Sequence, residues 1–246
     1  MREALWGEWT KAWTGRAWAV LTSIAVFMSL LTSFGYASEG DKKIGTGQTD
    51  IAAITDDVVR SWMMTFLFAS LFGALLVTRE YTSGSVSRSV LLTGRSRLFT
   101  AKLLVGTAVG ALSGLLAVLL AAVSSWVTLA GYDRSPEWTS ETSLIALGVF
   151  ACNVLAAPWG VFIGWIIRHQ IGAVGALMAL TLLLDPALQR LIPDLAKYLL
   201  TIAMSSVYRD VHTDLLSPEI ALLVIAGWLS AAGFAAHRLF RSRDIT

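Results

Sequence analysis

Charged residues and cysteines are scarce in this 246-residue chain, and each shortage excludes a class of protein. Only 15% of the residues are charged and 55% are hydrophobic, whereas a soluble domain carries roughly 25% charged residues. This balance excludes both a disordered chain and an ordinary soluble domain. The single cysteine, Cys152, excludes an intrachain disulfide. The net charge of +2 is too small to indicate a nucleic-acid partner.

Phosphate-binding and catalytic motifs are missing as well. The sequence has no G-x-x-x-x-G-K-[ST] loop for ATP, no H-E-x-x-H metal pair and no G-x-S-x-G nucleophile motif. The chain is therefore not expected to be an enzyme, and no metal or cofactor site is expected in it. Any energy taken from ATP has to come from another subunit.

The hydrophobic residues lie in long uncharged runs, which are typical of membrane-spanning helices. The N-terminal run is longer than the apolar core of a cleaved signal peptide, roughly 7–15 residues, so it is expected to be retained. The fifth run is short at 14 residues, so it could also be re-entrant or a core helix. The predicted spans are 17–36, 61–78, 103–130, 144–167, 171–184 and 220–236.

Basic residues are distributed unevenly between the two sets of loops. If the N-terminus is inside, 12 of the 19 basic residues fall on the inner side of the membrane and seven on the outer side. Lys and Arg favour the cytoplasmic side of membrane proteins. Both termini are therefore predicted to be cytoplasmic, which agrees with an even number of spans.

Residues 1–16 are predicted to form an interfacial helix that lies in the membrane plane, because their large apolar residues recur at helical spacing. Glu8 and Lys11 are predicted to lie off the apolar face. The residues of that face are Leu5, Trp6, Trp9 and Trp13.

Three longer connections separate the spans. The stretch 37–60 is polar and is interpreted as an ordinary external loop. Residues 79–102 form the inner loop between spans 2 and 3, and a short helix is predicted at 86–92 between glycine turns. Residues 185–219 contain three proline breakers but many apolar residues, which favours two short helices dipping into the outer leaflet.

Polar residues inside the predicted spans are few. Asn153 is the clearest, and its amide favours hydrogen bonding between helices over a place along a transport pathway. No Asp, Glu, Lys or Arg lies in the middle of a predicted span. This argues against an ion-coupled carrier, which needs titratable or ion-coordinating groups at membrane depth.

Two segments of the inner loop resemble ABC-2 type transporter permeases. Residues 79–85 read REYTSGS and residues 91–103 read LLTGRSRLFTAKL. In that family an acidic–aromatic pair ends the second span and is followed by Gly-Ser, a leucine pair, an arginine, and an Ala-Lys that opens the third span. This chain has all of these features and is similar in layout along its whole length, although it carries Thr93-Gly94 where family members often have proline.

The resemblance implies an all-α membrane protein: six transmembrane helices with an N-terminal interfacial helix, a cytoplasmic coupling helix between spans 2 and 3, and an extracellular re-entrant hairpin between spans 5 and 6. It implies a permease of the plasma membrane that exports a hydrophobic or amphipathic compound, such as a drug, an antibiotic, a peptide or a lipid. The implied partners are two copies of an ATPase that binds ATP and magnesium, a second permease protomer, identical or similar, and membrane lipid.

The resemblance also implies roles for residues. Glu80 would hold the loop against the interfacial helix, and the coupling helix would dock in a cleft of the ATPase. The coupling candidates are Glu80, Tyr81, Ser85, Val86, Arg88, Val90 and Leu91. A pathway is expected between protomers along spans 2 and 5. Its candidate residues are Met63, Met64, Phe66, Phe68, Phe72, Met178 and Leu182. Asn153 of span 4 is a separate pathway candidate, on account of its polar side chain.

Two other interpretations remain open at this point. An ion-coupled secondary carrier would transport along an ion gradient without ATP. A non-transporting membrane scaffold or sensor would neither move a cargo nor affect a partner ATPase. The basic residues Arg95, Arg97 and Lys102 are explained by the cytoplasmic preference of Lys and Arg alone.

Overall fold

The computed structural model describes residues 1–211 and 215–244, and every regular element among them is a helix. A 3₁₀ turn joins α3 to α4, and a π-helical turn, Leu180–Leu184, joins α8 to α9. The α-helices are α1 (Arg2–Trp13), α2 (Ala17–Gly45), α3 (Ile51–Arg60), α4 (Thr65–Thr82), α5 (Val86–Thr93), α6 (Arg95–Ala130), α7 (Ser140–Ile167), α8 (Gln170–Ala179), α9 (Asp185–Leu191), α10 (Pro193–Ala196), α11 (Leu200–Val207) and α12 (Pro218–Ser242).

Six helical stretches of the described residues are long and apolar enough to cross a membrane. The predicted all-helical fold with six candidate spans is therefore confirmed, and it fits a multi-pass membrane protein. The six stretches are Ala17–Gly45, Ile51–Thr82, Arg95–Ala130, Ser140–Ile167, Gln170–Leu191 and Pro218–Ser242.

The second of these stretches is the centre of the bundle. In its most apolar part 83% of the residues are buried, whereas in the corresponding part of α2 only 17% are buried. Glycines let α4 approach α7 to backbone contact, since a Cβ at Gly160 would overlap the backbone oxygen of Ser70, and a Cβ at Gly73 would overlap that of Ala157. Small residues at helix interfaces are the usual means of close packing in membranes.

The interpretation of residues 37–60 as an external loop is wrong. Helix α2 continues to Gly45, and α3 begins at Ile51, where the Asp50 side chain accepts a hydrogen bond from the backbone N–H of Ala53 at 2.8 Å. Ile54 and Val58 bury one face of α3 against Ala37 and Leu129. The polar residues that suggested a loop are divided among the last turns of α2, the link at residues 46–50 and the amphipathic helix α3.

The fifth candidate span is longer than predicted. Asp185-Pro186 was expected to end it, but the helix continues to Leu191 through the π-helical turn. Pro186 falls in the first turn of α9, where the N–H that proline lacks is least needed. The 22 residues of Gln170–Leu191 extend about 33 Å at 1.5 Å per residue, enough to cross the hydrocarbon core.

Short helices follow in the segment predicted to dip into the outer leaflet. They are α9, α10 and α11, while residues 212–214 of this segment lie outside the described residues. Helix α11 packs on α7 and α12, and a Cβ at Gly148 of α7 would overlap the backbone oxygen of Val207. This segment therefore covers one end of the bundle.

Candidate docking helix at one end of the bundle

Hydrogen bonds gather several loops and helix ends at the opposite end of the bundle. Arg95 Nη1 donates to the backbone oxygens of Phe240 at 2.9 Å and Arg241 at 2.7 Å. Arg168, in the link between α7 and α8, donates from Nη2 to the backbone oxygen of Leu239 at 2.9 Å. Cations are favourable at the carbonyl end of a helix such as α12. The structure thus brings together segments that the charge distribution assigns to one side.

Four charged side chains hold α1 against the bundle at this end. Lys102 Nζ lies 2.6 Å from Glu8 Oε2 and 3.1 Å from Glu80 Oε1, and it also donates to the backbone oxygen of Leu76 at 2.8 Å. Lys11 Nζ lies 2.6 Å from Glu8 Oε1 and 2.7 Å from Glu80 Oε1. We call Glu8, Lys11, Glu80 and Lys102 the ion network. Its two positive and two negative charges balance, which makes their burial tolerable.

Burial within the ion network is uneven. Lys102 is 1% exposed and Glu8 is 3% exposed, whereas about half of the Lys11 side chain is accessible. Burial lowers the pKa of Lys11, but its hydrogen bonds to Glu8 and Glu80 raise that pKa more, so it lies above the ordinary value. Lys11 therefore stays charged at neutral pH.

The ion network adds to two predictions. Glu8 was predicted to lie off the apolar face of α1, and the structure buries it together with Ala12, while Trp6 of that face is 72% exposed. Helix α1 is therefore attached to the bundle partly by charge and not only by its aromatic stripe. The preference of lysine and arginine for the cytoplasmic side was enough to explain Lys102 from the sequence. The structure adds specific partners for it, Glu8 and Glu80.

Helix α5 projects from the same end between two glycine turns. Gly84 and Gly94 have φ of 68° and 82°, a backbone conformation that favours glycine. On its inner face Val86 is 2% exposed, and Val90 packs against a buried apolar cluster. The cluster contains Val77, Leu98, Phe99, Val161, Phe162, Trp165, Ala232, Ala236 and Phe240.

Two leucines form the outward apolar tip of α5. Leu91 is 87% exposed and Leu92 is 80% exposed. Leu92 was not among the predicted coupling residues, although the leucine pair in the sequence was the signal for it. A helix anchored through one face with leucines on the other can serve as a docking element for another protein.

The other predicted coupling residues lie around the base of α5. Tyr81 is partly buried, with its ring 6.0 Å from that of Trp165 and the Arg168 guanidinium 5.3 Å above it. Ser85 Oγ is 2.9 Å from Ser83 Oγ. Of the seven coupling candidates, the exposed ones are Arg88 and Leu91, and the buried or partly buried ones are Glu80, Tyr81, Ser85, Val86 and Val90.

The predicted pathway residues do not form one surface. The buried ones are Phe66, Phe72 and Asn153, and the partly buried ones are Met63, Met64 and Phe68. Met178 and Leu182, each 42% exposed, lie on the fifth candidate span and face away from the core. Phe68 and Phe72 instead line an apolar cavity of about 140 Å³ among α2, α4 and α6.

Asn153 joins α7 to α4. Its Nδ2 donates to Thr65 Oγ1 at 2.8 Å and to the backbone oxygen of Val149 at 2.9 Å. Thr65 in turn donates to the backbone oxygen of Trp62 at 2.7 Å. These contacts favour a packing role for the amide over a place along a pathway.

Comparison with known proteins does not identify a family for this chain. No protein-family model matches the sequence, and no curated protein matches it. The functional argument therefore depends on the loop motif within residues 79–103 and on the contacts that the structure gives it.

Proposed function

We propose that this chain is the transmembrane subunit of an ATP-driven exporter that moves a hydrophobic or amphipathic compound outward across the plasma membrane. The observation that carries the proposal is α5, which is anchored through Val86 and Val90 and exposes Leu91 and Leu92. A permease driven by a separate ATPase needs such an element, because a push from outside has to reach the membrane helices.

The attachment of α5 supports this use. Glu80 lies in the last turn of α4, Lys102 lies near the beginning of α6, and both bind charged residues of α1. Movement of α5 is therefore transmitted to three helices together. Because α4 is the central helix of the bundle, the displacement reaches the core and not only the periphery.

In this proposal the end of the bundle that carries α5 is cytoplasmic, and so are both termini. Positive charge supports the assignment, since 12 of the 19 basic residues belong to the segments predicted on this side. The segment after the fifth candidate span, which contains α10 and α11, is then extracellular and corresponds to the re-entrant hairpin.

The partners follow from what the chain lacks and exposes. ATP and magnesium would be bound by two copies of an ATPase, since this sequence has no phosphate-binding loop. A second permease protomer, identical or similar, would cover exposed apolar residues such as Met178 and Leu182, with lipid around the rest. Tryptophan and phenylalanine in the cavity among α2, α4 and α6 suit an apolar or amphipathic cargo.

Co-purification from the native membrane in mild detergent tests the proposal, with mass spectrometry of what accompanies the chain. We expect an ATPase in equal amount, and its loss in Leu91→Asp, because burying a leucine contributes about 1.5–3 kcal/mol to association, or about tenfold or more. Val90 is a poorer target since it packs inward.

Ser96→Asp is the matched control for Leu91→Asp. It adds the same charge at an exposed position on the first turn of α6, outside α5. The proposal fails if wild type brings down no ATPase, or if Leu91→Asp retains as much ATPase as Ser96→Asp.

An ion-coupled carrier is the second candidate, and Asp185 is the observation that favours it. This carboxyl group is buried within the fifth candidate span, at a π-helical turn, and accepts a hydrogen bond from Thr201. Ionisable groups inside membrane helices frequently belong to ion pathways. Transport that follows a proton gradient without ATP, and that is lost in Asp185→Asn, would establish the carrier instead.

A further inference from the structure

A cavity of about 610 Å³ lies between α1 and α5, beside the ion network. Small-molecule sites usually have volumes of roughly 300–1,000 Å³. Its polar lining includes three cations and three hydroxyls from Lys11, Arg79, Arg88, Ser83, Ser85 and Ser89. We propose that this cavity binds a phosphate group, presented by an anionic lipid headgroup or as a free phosphate compound.

The charge around the cavity favours an anion. Glu80 also lines it, but the ion network already matches the carboxylates of Glu8 and Glu80 with Lys11 and Lys102. The guanidinium groups of Arg79 and Arg88 are therefore not neutralised by any residue of the network. Two cations facing one cavity repel each other, and a bound anion removes that repulsion.

Arg79 is held in place by the link between α1 and α2. Its Nη2 donates to the backbone oxygen of Thr14 at 3.1 Å and lies over Gly15, where a Cβ would come within 2.6 Å of it. This bond uses one of five N–H donors of the guanidinium. The rest remain for a phosphate, whose oxygens match the planar arrangement of guanidinium donors.

Arg88 and Ser89 supply further donors. Arg88 is exposed and makes no hydrogen bond or ion pair with the residues that the structure describes. Ser89 Oγ accepts a hydrogen bond from Lys11 Nζ at 3.1 Å, which leaves its hydroxyl hydrogen to donate. Ser83 Oγ donates to the backbone oxygen of Glu80 at 3.4 Å and accepts from Ser85 Oγ at 2.9 Å, so these two hydroxyls are already used within the loop.

The position of the cavity gives the binding a consequence. Arg79 lies on α4 and Arg88 lies on α5, so a bound phosphate would bridge the two helices across Gly84 and stiffen their joint. The cavity is also bordered by α1, which is predicted to lie in the membrane interface, at the depth of lipid headgroups. The binding itself does not depend on the exporter proposal.

Ligand-induced stabilisation of the full chain in neutral detergent tests the inference. One arm adds inorganic phosphate, and the other adds dihexanoyl phosphatidic acid, with dihexanoylglycerol as the probe that lacks phosphate. A ligand that binds only the folded state raises the unfolding temperature in proportion to its affinity. We expect Arg88→Gln to weaken binding about threefold to tenfold, since it removes a charge-assisted contact.

Arg97→Gln is the matched control, because Arg97 is also an exposed arginine but does not line the cavity. Stabilisation by phosphatidic acid alone would identify a lipid headgroup as the ligand, and stabilisation by both probes would identify any phosphate compound. The inference is overturned if neither probe stabilises the wild type, if dihexanoylglycerol stabilises as much as phosphatidic acid while inorganic phosphate has no effect, or if Arg88→Gln and Arg97→Gln bind equally.

Discussion

Replacement of Lys102 by methionine is the most informative change to the ion network. The Lys102 ammonium group is 1% exposed and contacts Glu8, Glu80 and the backbone oxygen of Leu76. Without it, two buried carboxylates share only the half-exposed Lys11. Removal of one partner of a buried ion pair costs about 3–5 kcal/mol. We predict that Lys102→Met lowers the free energy of unfolding by about 3 kcal/mol and releases α1 from the bundle.

The assay is denaturant unfolding of the full chain in detergent, with trypsin cleavage after the exposed Arg16 as the measure of α1 release. Lys42→Met is the control at an exposed lysine with no ion pair in the described part of the chain. Glu8→Gln together with Lys102→Met should cost less than the sum of the single changes, by about 0.5–3 kcal/mol. The reasoning is refuted if Lys102→Met lowers the free energy of unfolding no more than Lys42→Met does. It is also refuted if the losses for Glu8→Gln and Lys102→Met simply add in the double variant.

Three further predictions follow from the packing and the charges. Gly160→Ala should lower the free energy of unfolding by more than about 2 kcal/mol, because its Cβ would overlap the Ser70 backbone. Gly175→Ala, with open space around it, should change that free energy by no more than about 0.5 kcal/mol. Equal losses for the two variants in detergent unfolding would refute the contact. Asn153→Leu should cost only about 0.6 kcal/mol in the same assay, because Thr65 keeps its bond to Trp62, and a loss above about 2 kcal/mol would contradict this. The raised pKa of Lys11 means that its ion pairs are complete below the unfolded-state pKa of about 10.4 and are lost as pH rises through the higher folded-state value. Unfolding temperatures should therefore fall above about pH 10.5 more steeply in wild type than in Lys11→Gln, and parallel curves would contradict the assignment.

The long helices could be predicted from the sequence because an uncharged run of about 20 residues has few alternatives to a spanning helix. Helix α5 was also predictable, since glycines at both ends separate it from α4 and α6. Helix α3 does not stand out in the sequence, because its apolar positions 51, 54, 58 and 59 are interrupted by acidic residues. The continuation past Asp185-Pro186 depends on a π-helical turn that no local rule predicts.

The candidate site was only partly accessible to sequence reasoning. The loop motif indicated Glu80 and the leucines of α5. The ion-pair partner of the buried Glu8, however, is Lys102, which lies 94 positions away in the sequence. Such a contact depends on how α1 docks, which is a property of the assembled bundle. The same holds for Val86 and Leu91, whose opposite exposures depend on the rotation of α5 against its neighbours.

The central claim, that α5 docks on an ATPase, is tested most directly by photo-crosslinking in cells. A photoreactive residue is placed at position 91, on the exposed tip of α5, and for comparison at position 191, where Leu191 is 76% exposed at the end of the fifth candidate span. We predict that position 91 yields an adduct with an ATP-binding protein and that position 191 does not. The absence of an adduct at position 91, or the same adduct from both positions, would contradict the claim.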